Sequence, residues 1–500
     1  MKNIVILGGG SAGWMTALFL KKTWDNINIT VVEDPNTPPI IAGESGSFVV
    51  NSMLEYLDIN IMDWIKHSNA TPKLGGKFNE WKSKDTFFFH TLINQGVLAT
   101  FKRRNNLTED TKIDHIALLN NDPICKLYAA GWFAERNNST YLKNDPTGIL
   151  FDAPMLHFDS RATADFLKSI GISRGINLME KRYVKSTIDA DHGTIRSIIF
   201  DDATGIDGDW FFDCSGFARL LLKKTLDAKF YDYSHIFPAC NVVAWWDKPE
   251  DKVYTELTAM DYGWSWNINL NHRSGNGYIY DGDEITVDQA IAEAEQRFKT
   301  KIDPVAKLKF TPETTKEFWK GNVIGIGLSA GFVEPMEANG LGIVIDNLLV
   351  LQKYWNPLIE CECEERYNYN KAAFNAMEDI IDFICLHYRG KRTDTNYWIK
   401  LKEEYRITDN IKHKMELWKE GILTNDPSAR EQYPYESYLT VAQALDLIDL
   451  EKLRNNQKYT SEILHNYNKM KQQMNVEMHK LQNEVLHVTE WKNKIYGTNS

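Results

Sequence analysis

Apolar runs and helical spacings alternate at the start of the chain in a way that predicts a βαβ unit. Residues 3–7 form a short apolar run that fits a buried parallel strand, residues 11–22 have helical spacing, and residues 27–32 form a second apolar run. Further strands are predicted at 194–200, 210–214, 277–280 and 322–326, and further helices at 158–170, 287–298 and 340–352.

Strand patterns fade after about residue 355, and helical spacing dominates from 365 to 387 and again to the end. We therefore predict an α/β body over residues 1–350 and a mostly helical module over residues 351–500.

The tail of the chain carries a regular apolar repeat that predicts a long C-terminal helix. Its apolar positions are Tyr467, Met474, Leu481 and Val488 at seven-residue spacing, with Leu464, Met478 and Val485 between them and Lys471 as an interruption. Such spacing places one apolar stripe along a helix. Packing on the rest of the chain and contact in a homo-oligomer both satisfy this pattern.

Composition narrows the classes of protein. Lys and Arg number 57 and Asp and Glu 68, a formal net charge of −11 that disfavours a nucleic-acid or anionic-membrane binder. Six cysteines without a CxxC pair predict reduced thiols and no metal site. No 18-residue apolar run and no signal-peptide pattern is present in the sequence, so we expect a cytoplasmic protein without a membrane span.

The first predicted turn has the pattern of a dinucleotide-binding loop. Gly8, Gly10 and Gly13 fit GxGxxG, with Ser11 and Ala12 between them, after a strand and at the start of a helix. The glycines allow the close approach of a pyrophosphate to a helix N-terminus. Glu33 closes the second strand, where its carboxylate can accept hydrogen bonds from ribose hydroxyls and would repel a 2′-phosphate. This favours FAD or NAD over NADP.

A later strand favours FAD over NAD. It ends in Asp213, Cys214, Ser215 and Gly216, the D-x-x-G pattern of a strand and turn that pack beside the cofactor in two-dinucleotide-binding-type FAD folds. An ordinary β-turn is the alternative for this segment taken alone.

Three more segments carry a family resemblance. They are Lys-Phe-Asn-Glu-Trp at 77–81, Gly-Trp-Ser-Trp-Asn-Ile at 263–268 and Gly-Leu-Ser-Ala-Gly-Phe-Val-Glu-Pro-Met-Glu-Ala-Asn-Gly at 327–340. With GxGxxG, in this order and spacing, the chain resembles the flavin-dependent halogenases of the tryptophan-halogenase type from about residue 2 to about residue 400.

The resemblance implies an activity and a cofactor. Reduced FAD, dioxygen and a halide ion would yield hypohalous acid, which halogenates an aromatic small molecule. Because one convincing GxGxxG is found, reduced flavin is expected from a separate flavin reductase. By resemblance, the further cofactor-binding residues are Gly43, Glu44 and Ser45 in the flavin strap, Val184 and Leu328.

The resemblance also assigns catalytic roles. Lys77 would present the electrophilic halogen, although by residue type alone it would be a surface lysine. Glu337 would stabilise the cationic ring and take its proton. Asn339 and Gly340 would hold the halide through backbone N–H groups. Trp264 and Trp266 would keep the substrate away from the flavin, or would be core aromatics if judged as an isolated pair.

Several positions depart from the family pattern. Asn269 replaces the proline of the WxWxIP motif, which predicts a less rigid turn, and Ala338 replaces a hydroxyl-bearing residue near the halide. The strap at 43–48 contains two glycines and no proline, which predicts greater mobility. Glu334 is assigned a structural role.

The substrate is the least specified part of the prediction. The rear region has no Trp-rich or F-x-x-x-W pattern that can be placed as a free-tryptophan pocket, so we expect an aromatic substrate other than tryptophan. Tyr433, Tyr435 and Tyr438 are candidate substrate contacts, for which packing is the favoured interpretation. We expect bromide or iodide to be preferred, with chloride also used. A flavin-dependent hydroxylase and a catalytically silent FAD-binding protein are the alternatives; Lys77, Trp264 and Trp266 argue against the hydroxylase.

Overall fold

Each unit of the fold is assembled from segments that are distant in sequence. Unit 1 comprises Met1–Ala70, Phe158–Ser234 and Lys309–Glu378, and unit 2 comprises Thr71–His157, His235–Leu308 and Asp379–Ser500. The computed structural model describes residues 1–37, 44–46, 49–91, 93, 95–108, 111–150, 154–337, 339–359, 363–423, 433–456 and 459–497.

A six-stranded sheet forms the centre of unit 1. Its strands, in spatial order, are Trp319–Lys320, Val323–Gly325, Trp210–Asp213, Lys2–Leu7, Ile27–Glu33 and Asn177–Glu180. All neighbouring strands are parallel except the Trp319–Lys320 edge. Helix Ser11–Thr23 connects the first two strands of the chain and packs against helix Ser160–Ser173. The predicted βαβ unit is confirmed, and its apolar strands are buried, as expected for a parallel sheet.

The remaining elements of unit 1 surround this sheet. The helices are Val49–Tyr56, Ile61–His67, Asn339–Tyr354 and the first part of Cys363–His387, and the 3-10 turns are Gly216–Ala218 and Gly327–Ser329. The short strands are Glu44–Ser45, Tyr183–Asp189, Thr194–Phe200, Gly205–Asp207, Phe230–Asp232, Glu313–Thr315 and Gly331–Phe332.

Unit 2 is built on a seven-stranded sheet. Its strands, in spatial order, are Pro304–Lys309, Asn241–Asp247, Ser274–Tyr280, Gly263–Asn269, Thr255–Met260, Gly75–Asn79 and Phe87–Thr91. Strands Gly75–Asn79 and Thr255–Met260 run parallel. Gly75–Asn79 pairs antiparallel with Phe87–Thr91, and the strands from Thr255–Met260 through Gly263–Asn269 and Ser274–Tyr280 to Asn241–Asp247 pair antiparallel in turn.

Helices supply most of the rest of unit 2. They are Gln95–Arg104, Ile113–Leu119, Ile124–Leu127 (3-10), Ala129–Ala134, Val287–Phe298, Asn396–Glu403, Asp409–Lys419, Tyr435–Ala444, Leu450–Asn456, Ser461–Gln482 and Val488–Tyr496. The short strands are Thr71–Lys73, Asn138–Leu142, Met155–Phe158 and Val485–His487.

The apolar stripe of the tail packs on unit 2 itself. Tyr467, Met474 and Met478 are buried, and helix Ser461–Gln482 contacts the helices that begin at Gln95 and Ile113. The predicted continuous helix is wrong beyond Gln482, because Val485 lies in a short strand that pairs with Asn138–Leu142. Homo-oligomerisation stays a prediction.

Most other predicted elements are confirmed, and the start of one further helix is corrected. The helix predicted at 158–170 begins at Ser160 instead, because Asp159 caps it by accepting a hydrogen bond from the Ala162 N–H at 3.0 Å. The preceding residues form strand Met155–Phe158. The α/β class is confirmed, whereas the division at residue 350 stays a prediction. Among the described residues no helix is long and apolar enough to cross a membrane.

Asn269 supports the turn that was predicted to be less rigid. Its side-chain oxygen accepts hydrogen bonds from Ser274 Oγ at 2.7 Å and from the Glu250 N–H at 3.1 Å. Its amide donates to Asn267 Oδ1 at 2.8 Å, and the residue is fully buried. A proline could make none of these bonds, so the substitution replaces ring stiffness with a buried hydrogen-bond network.

We predict that Asn269→Ala lowers the free energy of unfolding by about 1–3 kcal/mol, because buried partners lose their hydrogen bonds. Chemical denaturation of the full chain measures this loss. Asn144→Ala, at an exposed position outside the strands, serves as the control and should stay within about 0.5 kcal/mol of wild type. Equal stability of the two variants would contradict the role given to Asn269.

Candidate functional site

The glycine turn of unit 1 has the geometry that the GxGxxG pattern requires. Gly8 has φ +124°, and a Cβ there would lie 2.2 Å from the Cys214 carbonyl oxygen. A Cβ on Gly13 would lie 1.8 Å from the Gly8 carbonyl oxygen. By contrast, a Cβ on Gly10 would meet no atom within 4 Å. Gly8 and Gly13 are therefore required by the protein's own packing, whereas Gly10 borders open space at the start of helix Ser11–Thr23.

Glu33 lies beside this turn, as predicted. A Cβ on Gly9 would lie 2.0 Å from Glu33 Oε2, so the carboxylate reaches over the loop. Glu33 also pairs with Lys168 of helix Ser160–Ser173. Burial lowers the pKa of the Lys168 ammonium, but the hydrogen bond and charge of Glu33 outweigh it and raise the pKa. A ribose would therefore meet a carboxylate that is already oriented. The sequence pattern gave no indication of Lys168.

Asp213 organises the second predicted segment. Its buried carboxylate accepts hydrogen bonds from Ser215 N at 3.1 Å, Ser215 Oγ at 2.6 Å, and the N–H groups of Leu221 and Leu222 at 2.8 Å. Burial raises the pKa of this carboxyl, and the hydrogen bonds offset only part of that rise. Because protein donors enclose the carboxylate, the role of Asp213 is to hold the turn in shape. Direct contact with a cofactor would come from Ser215 and Gly216 instead.

The turn that contains Leu328 is tied to the same strand end. Ser329 Oγ donates to the Asp213 carbonyl oxygen, and the Ile326 N–H donates to the same oxygen at 3.0 Å. The Gly327 N–H donates to Asn347 Oδ1 at 3.3 Å on helix Asn339–Tyr354. The structure thus brings Leu328 to the edge where the Asp213 turn lies. Val184 lies on a separate three-stranded antiparallel sheet, where its side chain is exposed.

The predicted halide residues lie at a helix start. Asn339 and Gly340 open helix Asn339–Tyr354, and a Cβ on Gly340 would meet no atom within 4 Å. Glu337 precedes this helix and is half-buried, whereas Glu334 is buried, as expected for a structural residue. N–H groups at a helix start attract anions.

Some residues of the predicted site lie outside the part of the chain that the structure describes. Gly43 and Ala338 are outside the described residues, and for Glu44 only the backbone, in strand Glu44–Ser45, is described. Ser45 is buried. The predicted mobility of the strap stays a prediction.

Lys77 lies on one face of the seven-stranded sheet in unit 2. Its neighbours across the sheet are Phe89 on one side and Glu256 on the other. Its Nζ lies 3.7 Å from Glu256 Oε1, 4.8 Å from the centroid of the Phe87 ring and 5.8 Å from that of Tyr254. The side chain is 22% exposed, so this is not a freely solvated surface lysine. We call Lys77, Asn79, Phe87, Phe89, Tyr254 and Glu256 the Lys77 face.

Glu256 is a residue that the sequence reasoning missed. It accepts a hydrogen bond from Asn79 Nδ2 at 2.9 Å and from Lys252 Nζ at 2.5 Å, in addition to its ion pair with Lys77. Burial opposes its ionisation, but Lys252 in particular outweighs burial and holds the pKa of this carboxyl below its usual value. The sequence feature that could have indicated Glu256 is the alternation of Tyr254, Glu256 and Thr258, which places these side chains on one face of a strand.

Trp264 and Trp266 lie on the opposite face of this sheet. Trp266 pairs with Leu257, which in turn pairs with Phe78, and these positions alternate with Glu256 and Lys77. Both indoles are buried, and the Trp264 ring lies 6.4 Å from that of Trp81. Within unit 2 they are core aromatics, and their role in substrate exclusion stays a prediction.

The candidate tyrosines of the rear region are occupied by packing. Tyr438 donates a hydrogen bond to Asp379 Oδ1 at 2.5 Å, and Tyr433 stacks on Phe383 at 4.0 Å between ring centroids. Tyr435 is buried. The favoured interpretation, packing, therefore fits all three. Among the described residues no cluster of three metal-ligating side chains is found.

Comparison with known proteins gives consistent matches over nearly the whole chain. The family model for tryptophan halogenase matches residues 3–456. Tryptophan 6-halogenase SttH of Streptomyces toxytricini is 29% identical over 466 residues, covering 87% of this chain and 86% of that protein. The 7-chloro-L-tryptophan 6-halogenase KtzR of Kutzneria sp. (strain 744) is 29% identical over 470 residues, covering 86% of this chain and 87% of that protein. The crystal structure of SttH gives a TM-score of 0.86 at 25% identity, covering 98% of this chain and 99% of that one.

These matches define the class of protein: an oxidoreductase of the flavin-dependent halogenase type, which halogenates an aromatic substrate. Because the family model spans most of the sequence, the chain belongs to the tryptophan halogenase family. The family resemblance stated from the sequence is confirmed.

Family membership implies FAD, and the residues present fit it. Gly8 and Gly13 allow the turn to pack tightly against backbone, and Gly10 leaves space in which a phosphate would fit. Glu33 is held by Lys168 at the position where a ribose would bind. The order and chemistry of these groups match a dinucleotide.

We predict that Gly10→Ala and Gly13→Ala separate folding from cofactor binding. Gly10→Ala should keep the thermal midpoint of the flavin-free protein, since its Cβ meets nothing, but weaken FAD binding about tenfold by filling the phosphate space. Gly13→Ala should lower the midpoint as well, because its Cβ would meet backbone. Thermal unfolding and a flavin fluorescence titration measure the two effects. Wild-type FAD affinity in Gly10→Ala would contradict the assignment.

Proposed function

We propose that this protein is an FADH₂-dependent halogenase that uses dioxygen and halide to halogenate an aromatic small molecule through Lys77 and Glu337. The observation that carries the proposal is the position of Lys77, an ammonium group held on a sheet face among aromatic rings and only one-fifth exposed. The preferred halide would be bromide or iodide, and reduced flavin would come from a separate reductase.

FAD would be held by Gly8, Gly10, Ser11, Ala12 and Gly13. The N–H groups at the start of helix Ser11–Thr23 would bind its pyrophosphate. Glu33 would accept from the ribose, and Ser215, Gly216 and Leu328 would line the neighbouring edge. Reduced flavin bound there would supply the electrons that activate dioxygen, and dioxygen would be the oxidant that converts halide to hypohalous acid.

Lys77 would hold hypohalous acid by donating an N–H hydrogen bond or would take the halogen onto its nitrogen. In both cases the halogen is fixed in position and stays electrophilic. The Glu256 carboxylate restrains the ammonium from one side, and Asn79 and Lys252 in turn fix Glu256. Restraint of this kind lowers the entropy cost of reaching the reactive geometry.

Glu337 would act on the aromatic ring. Electrophilic substitution produces a cationic ring, which a carboxylate stabilises before it accepts the ring proton. Asn339 and Gly340 would bind the halide through backbone N–H groups at the helix start, where the helix dipole favours an anion.

The general test is a panel of small phenols and indoles incubated with the enzyme, a flavin reductase, FAD and each halide. Mass spectrometry should show products that gain halogen. Products that gain only oxygen would indicate a hydroxylase, and the absence of any product across the panel would indicate a silent flavin-binding protein.

We predict that Lys77→Ala lowers halogenated product about 100-fold or more while FAD still binds, since the glycine turn is unchanged. A trap for free hypohalous acid, read by absorbance, should show that oxidant is still made. Lys84→Ala, at a lysine of the same segment with 66% of its side chain exposed, is the matched control and should resemble wild type. Retention of more than about a tenth of the activity in Lys77→Ala would remove the proposed role.

Glu337→Gln is expected to slow turnover strongly, because the amide keeps the shape but loses both the charge and the base. The same trap should collect unused hypohalous acid. Glu337→Asp, which keeps the charge, should recover part of the rate. If Glu337→Gln forms product at the wild-type rate, the carboxylate is not part of the chemistry.

We predict that bromide or iodide outcompetes chloride. Ala338 provides no hydroxyl near the halide residues, which disfavours a compact, strongly hydrated anion, and the larger halides lose water and electrons more readily. Competition at equal halide concentrations, with an enzyme-free peroxide control, measures the preference. Chloride incorporation equal to or above that of bromide would contradict it.

A further inference from the structure

The Lys77 face contains two aromatic rings within reach of the lysine nitrogen. Lys77 Nζ lies over the Phe87 ring at 4.8 Å and over the Tyr254 ring at 5.8 Å from the centroids. Tyr254 is held in place by an edge contact with Phe89 at 5.3 Å between centroids. A halogen on Lys77 would therefore stand close to side chains of the protein itself.

The two rings differ in reactivity toward an electrophile. The Phe87 ring carries no activating group, whereas the hydroxyl of Tyr254 activates the carbons ortho to it. Of these two rings, Tyr254 is therefore the chemically competent acceptor, although Phe87 is the nearer.

We propose that Tyr254 is a self-halogenation site: in the absence of an aromatic substrate, the halogen held at Lys77 is transferred to an ortho carbon of this residue. The inference rests on the proposed function in that it takes Lys77 as the point of delivery. It adds a halogen acceptor within the protein, which would consume hypohalous acid when no aromatic substrate is bound.

The transfer balances without a further reagent. The ring carbon forms a bond to halogen, and the nitrogen–halogen bond breaks with its electron pair left on Lys77 nitrogen, which takes up the proton released by the ring. If hypohalous acid is only hydrogen-bonded to Lys77, the oxygen–halogen bond breaks instead and water is the leaving product. The ring is oxidised by two electrons and the halogen is reduced by two.

Exposure alone would select other tyrosines. Tyr254 is 8% exposed, whereas Tyr367 is 62% exposed and Tyr56 is 37% exposed. Reagent that diffuses in solution should therefore label Tyr367 and Tyr56 first. Modification of Tyr254 ahead of them requires delivery from a nearby group, and effective concentrations within a folded protein are large enough to provide that preference.

The experiment has two arms on the full chain, both read by peptide mass spectrometry. In the direct arm, flavin-free protein receives less than one equivalent of hypobromous acid at neutral pH. In the turnover arm, the protein receives FAD, a flavin reductase, bromide and air without an aromatic substrate. Tyrosine peptides are compared with one another, because the exposed Cys363 consumes part of the reagent.

We expect bromine on the Tyr254 peptide to exceed that on the Tyr367 peptide by about tenfold or more in the direct arm. Lys77→Leu, which has no group that reacts with hypobromous acid, should abolish this preference while Tyr254 remains in place, and Tyr254→Phe should remove the modified peptide. Tyr367→Phe is the matched control and should leave bromination of Tyr254 unchanged.

The outcomes separate this inference from the proposed function. Selective bromination in the direct arm alone supports the inference and shows that oxidant production has failed. A halogenated small molecule from the panel, with Tyr254 unmodified in both arms, overturns the inference and leaves the proposed function standing. Bromination of Tyr254 that is unaffected by Lys77→Leu also overturns it.

Discussion

The end of strand Trp210–Asp213 is the constraint on which the site in unit 1 depends. The buried Asp213 carboxylate accepts hydrogen bonds from Ser215, Leu221 and Leu222. The backbone carbonyl oxygen of Asp213 accepts hydrogen bonds from Ile326 N–H and Ser329 Oγ. This fixes the neighbouring Cys214 carbonyl against Gly8 at a distance that leaves no room for a Cβ. The same network therefore shapes the cofactor loop and places the Leu328 turn, which is bonded to helix Asn339–Tyr354 through Asn347. A buried carboxylate with this many partners is costly to disturb.

Unit 2 is governed by a different rule, the two-residue period of its sheet. Because successive side chains point to opposite faces, one register places Lys77 with Glu256 on one face and Trp266 with Leu257 and Phe78 on the other. A shift of strand Gly75–Asn79 by one residue would turn Lys77 to the face that holds the buried indoles. Further along the same sheet, the Asn269 side chain joins the ends of strands Gly263–Asn269 and Ser274–Tyr280 to the Glu250 backbone. Where the family has a proline, the hydrogen bonds of Asn269 therefore stabilise the turn instead.

The sequence predicted the local features well, because they depend on local rules. The βαβ unit, the glycine turn, the position of Glu33 and the start of the helix at Asn339–Gly340 all follow from spacing and residue type. It did not predict Lys168 beside Glu33 or Glu256 beside Lys77, because each pair joins residues that are more than 100 positions apart in the chain. It also extended the last helix past Gln482, since an apolar repeat does not distinguish a helix from a following buried strand.

Unit 1 is proposed to hold the flavin at the glycine turn and the halide at the start of helix Asn339–Tyr354. A crystal structure of the protein with FAD and bromide tests it most directly, because bromide is identified by its anomalous scattering. We expect the FAD pyrophosphate to lie against Gly10, Ser11 and Ala12, and an anomalous peak to lie within hydrogen-bond distance of the backbone N–H of Asn339 or Gly340. A flavin bound away from the glycine turn, or bromide bound at no point near that helix start, would contradict it.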